Sequence, residues 1–351
     1  MLFMDGSLGD ESFVVERDVP LAPRTTFRVG GTADLFFAVR NERELERAVR
    51  FARERELAIA VLGGGSNVLI SDAGIRGLVV QIALRGKEFR LESRGTVASR
   101  VAAGEVWDEF VSEAVKRGFW GIENLSGIPG LVGATPIQNV GAYGAEVGSR
   151  IISVEAFDIE RMRPRVFDPA ECAFRYRDSF FKTPEGKRFI ITAVTYRLES
   201  EGAPDISYRD TSEYFTKTGI TPTLVSVREA VLAIRRAKFP DLDHVGTAGS
   251  FFKNPVISAE RHGELERAYP SMPAYPNGAG FVKVPAAWLI EHVAKMRGER
   301  AGDVGSSMHH ALAIVNYGSA RASEVLAFAA RIKDAISRAT GIELEREVQI
   351  L

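Results

Sequence analysis

Residues 121–148, GIENLSGIPGLVGATPIQNVGAYGAEVG, constrain the fold more than any other stretch. The run is too glycine-dense for a regular element and too rich in Ile, Val and Leu for a linker. It reads as an ordered loop system with a backbone that must pass close to something. A second glycine loop, Gly63-Gly64-Gly65-Ser66-Asn67, directly follows the strand-like LAIAVL. Glycine admits positive φ and close approach, and successive N–H groups form a nest for anions. One triplet alone would equally be a tight strand connection. Together with Gly127, Gly130, Gly133, Gly141 and Gly144 in the same domain, it points to a long, anionic ligand. Neither GxGxxG nor GxxxxGK[ST] occurs, so a Rossmann dinucleotide site and a P-loop are both unsupported.

A chain of 351 residues suggests two or three domains. Lys+Arg 45 against Asp+Glu 46 leaves a net charge of -1, so no nucleic-acid footprint is present. Anions must then be held by local placement of Arg, Lys and backbone N–H groups. The single cysteine, Cys172, excludes an intrachain disulfide framework and a Cys-rich metal site, and no metal is expected. The N-terminus lacks a basic segment followed by an apolar run, so no signal peptide is expected. No apolar stretch approaches membrane-spanning length. The expectation is a cytoplasmic protein with no membrane partner.

Residues 1–24 read as an acidic, Pro-punctuated arm. TTFRVGGTADLFFAV alternates and predicts strands around a Gly30-Gly31 turn. NERELERAVRFARERE predicts a helix capped by Asn41, followed by the buried strand LAIAVL. A second helix is expected around Val106–Val115. RIISVEAFDI and FIITAVTYRL are strand-like, and ESEGAPD is the expected domain boundary. Beyond it, LVSVREAVLAIRRAKFP predicts a helix stopped by Pro240, AWLIEHVA a further helical run and ALAIVN a strand. ASEVLAFAARIKDAISRATG predicts an amphipathic helix ending at Gly341 as a left-handed cap, and ELEREVQIL a closing strand. The class is α+β, without internal repeats.

Several blocks, in order, carry a family resemblance: TTFRVGG, GGGSNVLI, GIPGLVGATPIQNVGAYGAEV, YRDSFFK, RRAKFPD, AGSFFKNP and LEREV. Over residues 20 to 351 the chain resembles the UDP-N-acetylenolpyruvoylglucosamine reductases, flavoenzymes that use FAD and NADPH to make UDP-N-acetylmuramate for bacterial peptidoglycan. The resemblance implies an FAD-binding domain of the vanillyl-alcohol-oxidase (PCMH) type over 25–200. A smaller α+β substrate-binding domain over 201–351 would follow, its C-terminal strand returning to the active site. Tyr208, within DISYRDT, resembles the tyrosine that covers bound substrate in the longer family type. Related FAD domains attach flavin through His or Cys. Here all five histidines lie at or after His244, and Cys172 lies away from both glycine loops, so non-covalent FAD is expected.

The implied flavin contacts are Arg28, Gly63, Gly64, Gly65, Ser66 and Asn67 in the first half of the domain. In the long glycine run they are Gly127, Ile128, Pro129, Gly133, Thr135, Gln138, Asn139, Gly141, Ala142, Tyr143 and Gly144, some through backbone alone. The implied reaction puts hydride on C3 of an enolpyruvyl ether and a proton on C2, so it needs a proton donor and stabilisers of the developing enolate. Ser250 of AGSFFKNP is the implied donor; in an isolated GS pair it would be a turn hydroxyl. Arg177 of YRDSFFK would hold the carboxylate, against the alternative of a local pair with Asp178. Glu347 of LEREV would be the third member with a pKa raised by burial, although Glu345 could take that place. The nucleotide-sugar substrate would meet Tyr176, Tyr208, Lys238, Asn254 and His310. Alone, Lys238 reads as a lysine complementing a helix dipole. A monomer is expected. Two rival readings are an FAD-dependent alcohol oxidase on the same fold and a non-catalytic nucleotide-sugar sensor.

Overall fold

The computed structural model describes residues 3–4, 13–92 and 95–351. They form two compact units. The first takes the described residues up to Val19 with Ala33–Gly64 and Arg76–Arg236, and the second takes Pro20–Thr32, Gly65–Ile75 and Ala237–Leu351. This division differs from a break after residue 200. The stretch that follows residue 200 stays in the first unit because helices α3 (Arg209–Thr218) and α4 (Leu224–Lys238) pack Phe215, Val227, Ala230 and Val231 against Tyr143.

In the first unit, one five-stranded sheet has the order β1-β2-β3-β6-β4, with β1 at Phe3–Met4, β2 at Val14–Pro20, β3 at Thr32–Val39, β4 at Ile59–Leu62 and β6 at Ile75–Ile82. Part of the expected N-terminal arm is therefore sheet. Phe13 and Val15 alternate into the core, and the Phe13 ring lies 4.5 Å from that of Phe37. The rest of the arm, residues 1–2 and 5–12, lies outside the described residues. Helix α1 (Glu42–Glu54) buries Leu45, Ala48, Val49 and Ala52 as one stripe. Asn41 caps it as expected, its Oδ1 accepting the Glu44 N–H at 2.9 Å.

Two expectations change here. TTFRVGG is not a strand: Thr25 Oγ1 accepts the Arg28 N–H at 3.1 Å and Arg28 takes φ 56, which closes a turn before β3 starts. Strand β4 is not buried along its length, since it ends the sheet and Val61 is 39% exposed.

The second sheet of this unit is antiparallel, in the order β10-β9-β11-β8-β7. Its strands are β7 (Lys87–Leu91), β8 (Thr96–Ala102), β9 (Ile151–Asp158), β10 (Arg163–Phe167) and β11 (Phe189–Glu199). Helix α2 (Trp107–Lys116) sets Trp107 and Phe110 against Tyr196 of β11, with ring centroids 5.6 and 5.3 Å away. The glycine run leaves α2 and returns to β9 through short turns, the one-turn helix Thr135–Gln138 and a tight hairpin that pairs Ala142 with Ala145.

The second unit holds a sheet in which β12 (Gly246–Ser250), β14 (Ala313–Asn316) and β13 (Val304–Ser306) are neighbours in that order. Helix α5 (Ala259–Ala268) and the long α6 (Ala322–Thr340) complete it, with Val325, Phe328, Ala329, Ile332 and Ile336 of α6 facing the core. Gly341 ends α6 at φ 68, as expected. AWLIEHVA is helical but widens into a π turn over Leu289–Val293. The closing strand is shorter than the pattern suggests. Only Gln349–Ile350 (β15) pairs, in parallel with β5 (Val68–Leu69), because the preceding residues turn to a different partner at Phe252. Among the described residues no helix is long and apolar enough to cross a membrane.

Asn316 joins segment 20–32 to this unit. Its Nδ2 donates to the Phe27 and Arg28 carbonyls at 3.2 and 3.3 Å, and its Oδ1 accepts from the Gly318 and Ala320 N–H groups at 3.0 and 3.2 Å. Asn316→Ala leaves these buried groups without the amide, and each orphaned group costs about 1–3 kcal/mol. The expected result is a loss of more than ~2 kcal/mol in denaturant unfolding; a loss below ~0.5 kcal/mol would show that water replaces the amide freely.

Candidate active site

Leaving β4, the chain enters the first glycine loop, and in the first unit that loop touches the second. A Cβ on Gly64 would lie 3.2 Å from the Gly130 Cα, and one on Gly133 would lie 2.6 Å from the Ala103 Cβ. The second loop is pinned by backbone bonds from Trp107 N–H to Gly130 O at 3.0 Å, Val132 N–H to Glu105 O at 2.9 Å and Gly133 N–H to Ala103 O at 2.9 Å. By contrast, the nearest atoms to a Cβ on Gly63 and on Gly144 are 3.8 Å away, Leu131 Cδ1 and Tyr208 Cβ respectively. Locked glycines beside open ones make a rigid backbone cradle with room beside Gly63 and Gly144, which fits close approach of a long flavin dinucleotide to the main chain.

Side chains along this loop are used internally. Thr135 Oγ1 sits 2.7 Å from the Tyr196 hydroxyl, a group that burial drives far up in pKa. Asn139, at φ 44, gives its Nδ2 to Glu146 Oε2 at 2.9 Å and Arg175 O at 3.0 Å, and its Oδ1 accepts the Gly148 N–H at 2.9 Å. These two side chains shape the loop together with their own backbone: the Thr135 N–H bonds the Val132 carbonyl, the Asn139 N–H the Pro136 carbonyl, and the Val140 N–H the Thr135 carbonyl at 3.0 Å. Gln138 closes the one-turn helix, and Ile128 and Pro129 lead from Gly127 into Gly130.

Arg177 lies in the same unit. It adopts φ 53, donates from Nη2 to Gly141 O at 2.6 Å, and its guanidinium carbon lies 5.4 Å from the Tyr176 ring centre. The sequence-local alternative of an Arg177–Asp178 turn pair gives way to a long-range contact with the glycine loop. Lys182 Nζ donates to the Arg177 carbonyl at 2.7 Å and fixes the left-handed backbone. Tyr143, beside Ala142, is buried at φ 49; its hydroxyl, pushed up to about 12 by burial, bonds Arg235. The Tyr143 ring meets that of Tyr208 edge-on at 5.6 Å. Tyr208 is 41% exposed where α3 begins. Arg235 and Asp108, to which no role follows from the sequence pattern, both bond Gly127. Arg235 opens the RRAKFPD block, a signal that could have found it; nothing in the local pattern marks Asp108.

The second unit brings Ser250, Glu347 and Asn67 to one place. Glu347 N–H donates to Phe251 O at 2.9 Å, and Asn67 Nδ2 donates to Glu347 O at 3.2 Å. Ser250 ends β12 next to Phe251 and pairs with Ala313. Glu345, the alternative to Glu347, is an exposed partner of Lys253 at 2.5 Å. Gly65 is required at φ +62, where a Cβ would come within 2.3 Å of the Arg24 carbonyl oxygen, and Ser66 follows it into Asn67. Asn254 Oδ1 accepts the Ala286 N–H at 2.9 Å, which sets its amide plane. His310 packs edge-on to Phe239 at 5.0 Å, one residue from Lys238 at the end of α4. Arg28 is exposed and donates to the Leu242 carbonyl.

Comparison with known proteins accords with this arrangement. Residues 33–160 match a family model described as an FAD binding domain, and residues 241–351 match the C-terminal domain of UDP-N-acetylenolpyruvoylglucosamine reductase. Fold and loops thus define an α+β flavoprotein oxidoreductase whose FAD-binding domain precedes a dedicated C-terminal domain. Curated UDP-N-acetylenolpyruvoylglucosamine reductases from Porphyromonas gingivalis and Paraburkholderia phymatum are 39% and 40% identical, each over 96% of this chain and 99% and 98% of their own lengths. The solved reductase from Thermus caldophilus is 28% identical and superposes with a TM-score of 0.67 over 96% of this chain and 98% of its own. The chain belongs to the UDP-N-acetylenolpyruvoylglucosamine reductase family, and it is an FAD enzyme of peptidoglycan synthesis acting on a small nucleotide-sugar substrate.

Cys172 is buried, with its thiol pushed up to about 12 by desolvation and by Asp168 and Glu171. It is therefore protonated in the folded protein at pH 8, whereas an ordinary thiol there is partly thiolate. Its native thiolate population should be lower on the order of a thousandfold than that of the unfolded chain. Thiol titration at pH 8 should find no fast-reacting group until denaturant is added, and the flavin should be released intact by the same step. Rapid stoichiometric labelling of native protein would contradict this placement.

Proposed function

We propose that the enzyme uses NADPH, through bound FAD, to reduce UDP-N-acetylglucosamine enolpyruvate to UDP-N-acetylmuramate, as a cytoplasmic monomer. The observation that carries the reading is the joining of Asn67, from the glycine loop, to Glu347 and thence to the Ser250–Phe251 backbone. Bound FAD, held along the glycine loops, would supply the redox chemistry, a hydride for C3 of the enolpyruvyl group. Everything else falls to the protein. As C3 accepts hydride, negative charge moves to C2 and its carboxylate. Arg177 holds that carboxylate, and a guanidinium, with its paired N–H donors, does so better than a point charge. The Ser250 hydroxyl passes its proton to C2 and is reprotonated from solvent. A serine is a weak acid, but an enolate carbon is a strong base, so the transfer runs downhill when the hydroxyl is held in place. Glu347, protonated or as an orienting acceptor, keeps it there. Lys238 and Asn254 hold the diphosphate, with Tyr176, Tyr208 and His310 as further substrate contacts.

An alcohol oxidase has no use for a serine donor placed with Lys238 and Asn254, and a sensor has no need of Arg177, Ser250 and Glu347 together. No fingerprint for a separate dinucleotide site occurs, which supports NADPH and the sugar nucleotide alternating at one place. Initial rates should then give parallel double-reciprocal lines. Intersecting lines would establish a ternary complex and end that part of the reading.

The half-reactions test Ser250. Flavin reduction by NADPH delivers no proton to carbon, so Ser250→Ala should leave it nearly intact, while reoxidation by the enolpyruvyl substrate slows by about 10²–10⁴. Cysteine at the same position should recover part of the second step. Stopped-flow traces that slow equally in both steps would mean the substitution had disturbed the flavin, and the donor role would be withdrawn.

A further inference from the structure

Behind the glycine run, the peptide at Gly127 is held from both sides by opposite charges. Asp108, in the first turn of α2, accepts the Gly127 N–H at 2.5 Å, while Arg235 Nε of α4 donates to the Gly127 carbonyl at 3.0 Å. Asp108 is itself gripped at both oxygens by Arg228, at 2.6 and 2.9 Å. Arg228, Leu232 and Arg235 stand at i, i+4 and i+7 and so share one face of α4. Gly127 has no room for a side chain against that face: at φ +70, a Cβ would lie 2.8 Å from Leu232 Cδ2 and 3.2 Å from Arg235 Cδ. The preceding residue is fixed as well, with Ser126 Oγ donating to Glu123 O at 2.6 Å.

We propose that the Asp108–Arg228 pair is a positioning device for the flavin, fixing the Gly127 peptide so that the Ile128–Gly130 backbone meets FAD in one orientation. The proposal rests on the assignment of the 127–144 loop to the flavin. Arg228 is what lets a partly buried carboxylate serve as an acceptor, because it neutralises the charge that burial would otherwise penalise. Burial alone would raise the Asp108 pKa, but the Arg228 and Gly127 bonds outweigh it and hold the carboxyl below its usual range. Docking of α4 does not call for this pair, since Val227, Ala230 and Val231 already bury an apolar stripe with Tyr143 and Phe215. The third bond of Asp108 goes to the loop. That bond is the one a structural ion pair would lack.

The test is FAD affinity of the full-length protein, measured by titrating stripped enzyme and following flavin fluorescence quenching, beside the thermal midpoint of the stripped protein. Asp108→Ala should weaken FAD binding by about ten- to a hundredfold, the value of a charged hydrogen bond. It should also alter the visible flavin bands. Asp108→Asn keeps an acceptor for Gly127 but loses the pair, and Arg228→Met keeps the packing stem; both should weaken FAD by an intermediate factor. A dissociation constant within twofold of wild type in these variants overturns the proposal, even if the thermal midpoint falls. Should Asp108→Ala fail to fold, Asp108→Asn and Arg228→Met decide the matter on the same criterion. Gly127→Ala separates the two levels. If it weakens FAD while the Asp108 and Arg228 variants do not, only the positioning role fails; if it too leaves FAD affinity unchanged, the assignment of this loop to the flavin fails with it.

Discussion

The approach of Gly64 to Gly130 is the constraint on which the first unit depends. Two loops can run this close only if neither carries a side chain at the crossing, and a Cβ at Gly64 would already press on the Gly130 Cα at 3.2 Å. The surrounding sheets deliver the loops to that crossing. Strand β4 pairs in parallel with β6 and ends at Leu62, immediately before the first loop. The second loop is laid along the 103–107 segment by three backbone bonds, over a floor of Trp107, Phe110 and Tyr196. The result is a rigid, glycine-rich backbone surface whose own bonds and the aromatic packing beside it hold it in place. A cofactor held by such a surface pays little ordering entropy from the protein side.

The second unit solves a different problem, gathering groups that are far apart in sequence. Asn67 and Glu347 are 280 residues apart, yet the amide of one meets the carbonyl of the other. The parallel pairing of β15 with β5 carries the register, Gln349 against Val68 and Ile350 against Leu69. Upstream, Glu347 N–H bonds Phe251 O, so the same few residues of the C-terminus tie the glycine loop segment to the Ser250 strand. A short strand suffices because neighbouring groups lock it: Ser71 N–H bonds the Leu351 carbonyl, and Leu351 N–H bonds Leu69 O. Truncation here would remove more than an edge strand.

Much of this was legible from local pattern. Helix α1 with its Asn41 cap, α4 halting before Pro240 and α6 ending at Gly341 follow from 3.6-residue periodicity and cap chemistry, which act within a few residues. The two glycine loops were visible because their composition fits no regular element. What the sequence did not disclose is long-range pairing. TTFRVGG alternates like a strand, but Thr25 and the left-handed Arg28 turn it, and Asn316, nearly 300 residues on, takes its carbonyls. The break after residue 200 looked plausible because ESEGAPD is polar and turn-rich. Only the burial of Val227 and Val231 beside Tyr143 shows that the next two helices belong to the first unit. Asp108 is hidden for the same reason: an acidic residue in the first turn of a helix is ordinary until its partner, Arg228, is located 120 residues away.

Backbone strain gives a separate line into the site. Arg28, Asn139, Tyr143 and Arg177 all take positive φ although none is glycine. A left-handed residue with a Cβ costs about 1–2 kcal/mol, so it persists where surrounding bonds over-determine it. In all four cases those bonds can be named, Arg28 being held by Thr25 on its N–H and by Asn316 on its carbonyl. Asn139 is held by its contacts to Glu146, Arg175 and Gly148; Tyr143 by Asn124 Nδ2 on its carbonyl at 3.0 Å; and Arg177 by Lys182 on its carbonyl. Glycine at these positions would relieve the strain but would delete the side chains that shape the loop, reach Arg235 and reach Gly141. Along this stretch the chain thus uses glycine where backbone crosses backbone, as at Gly64, and left-handed non-glycine residues where the side chain itself makes a bond, from Asn139 to Glu146 and from Arg177 to the Gly141 carbonyl.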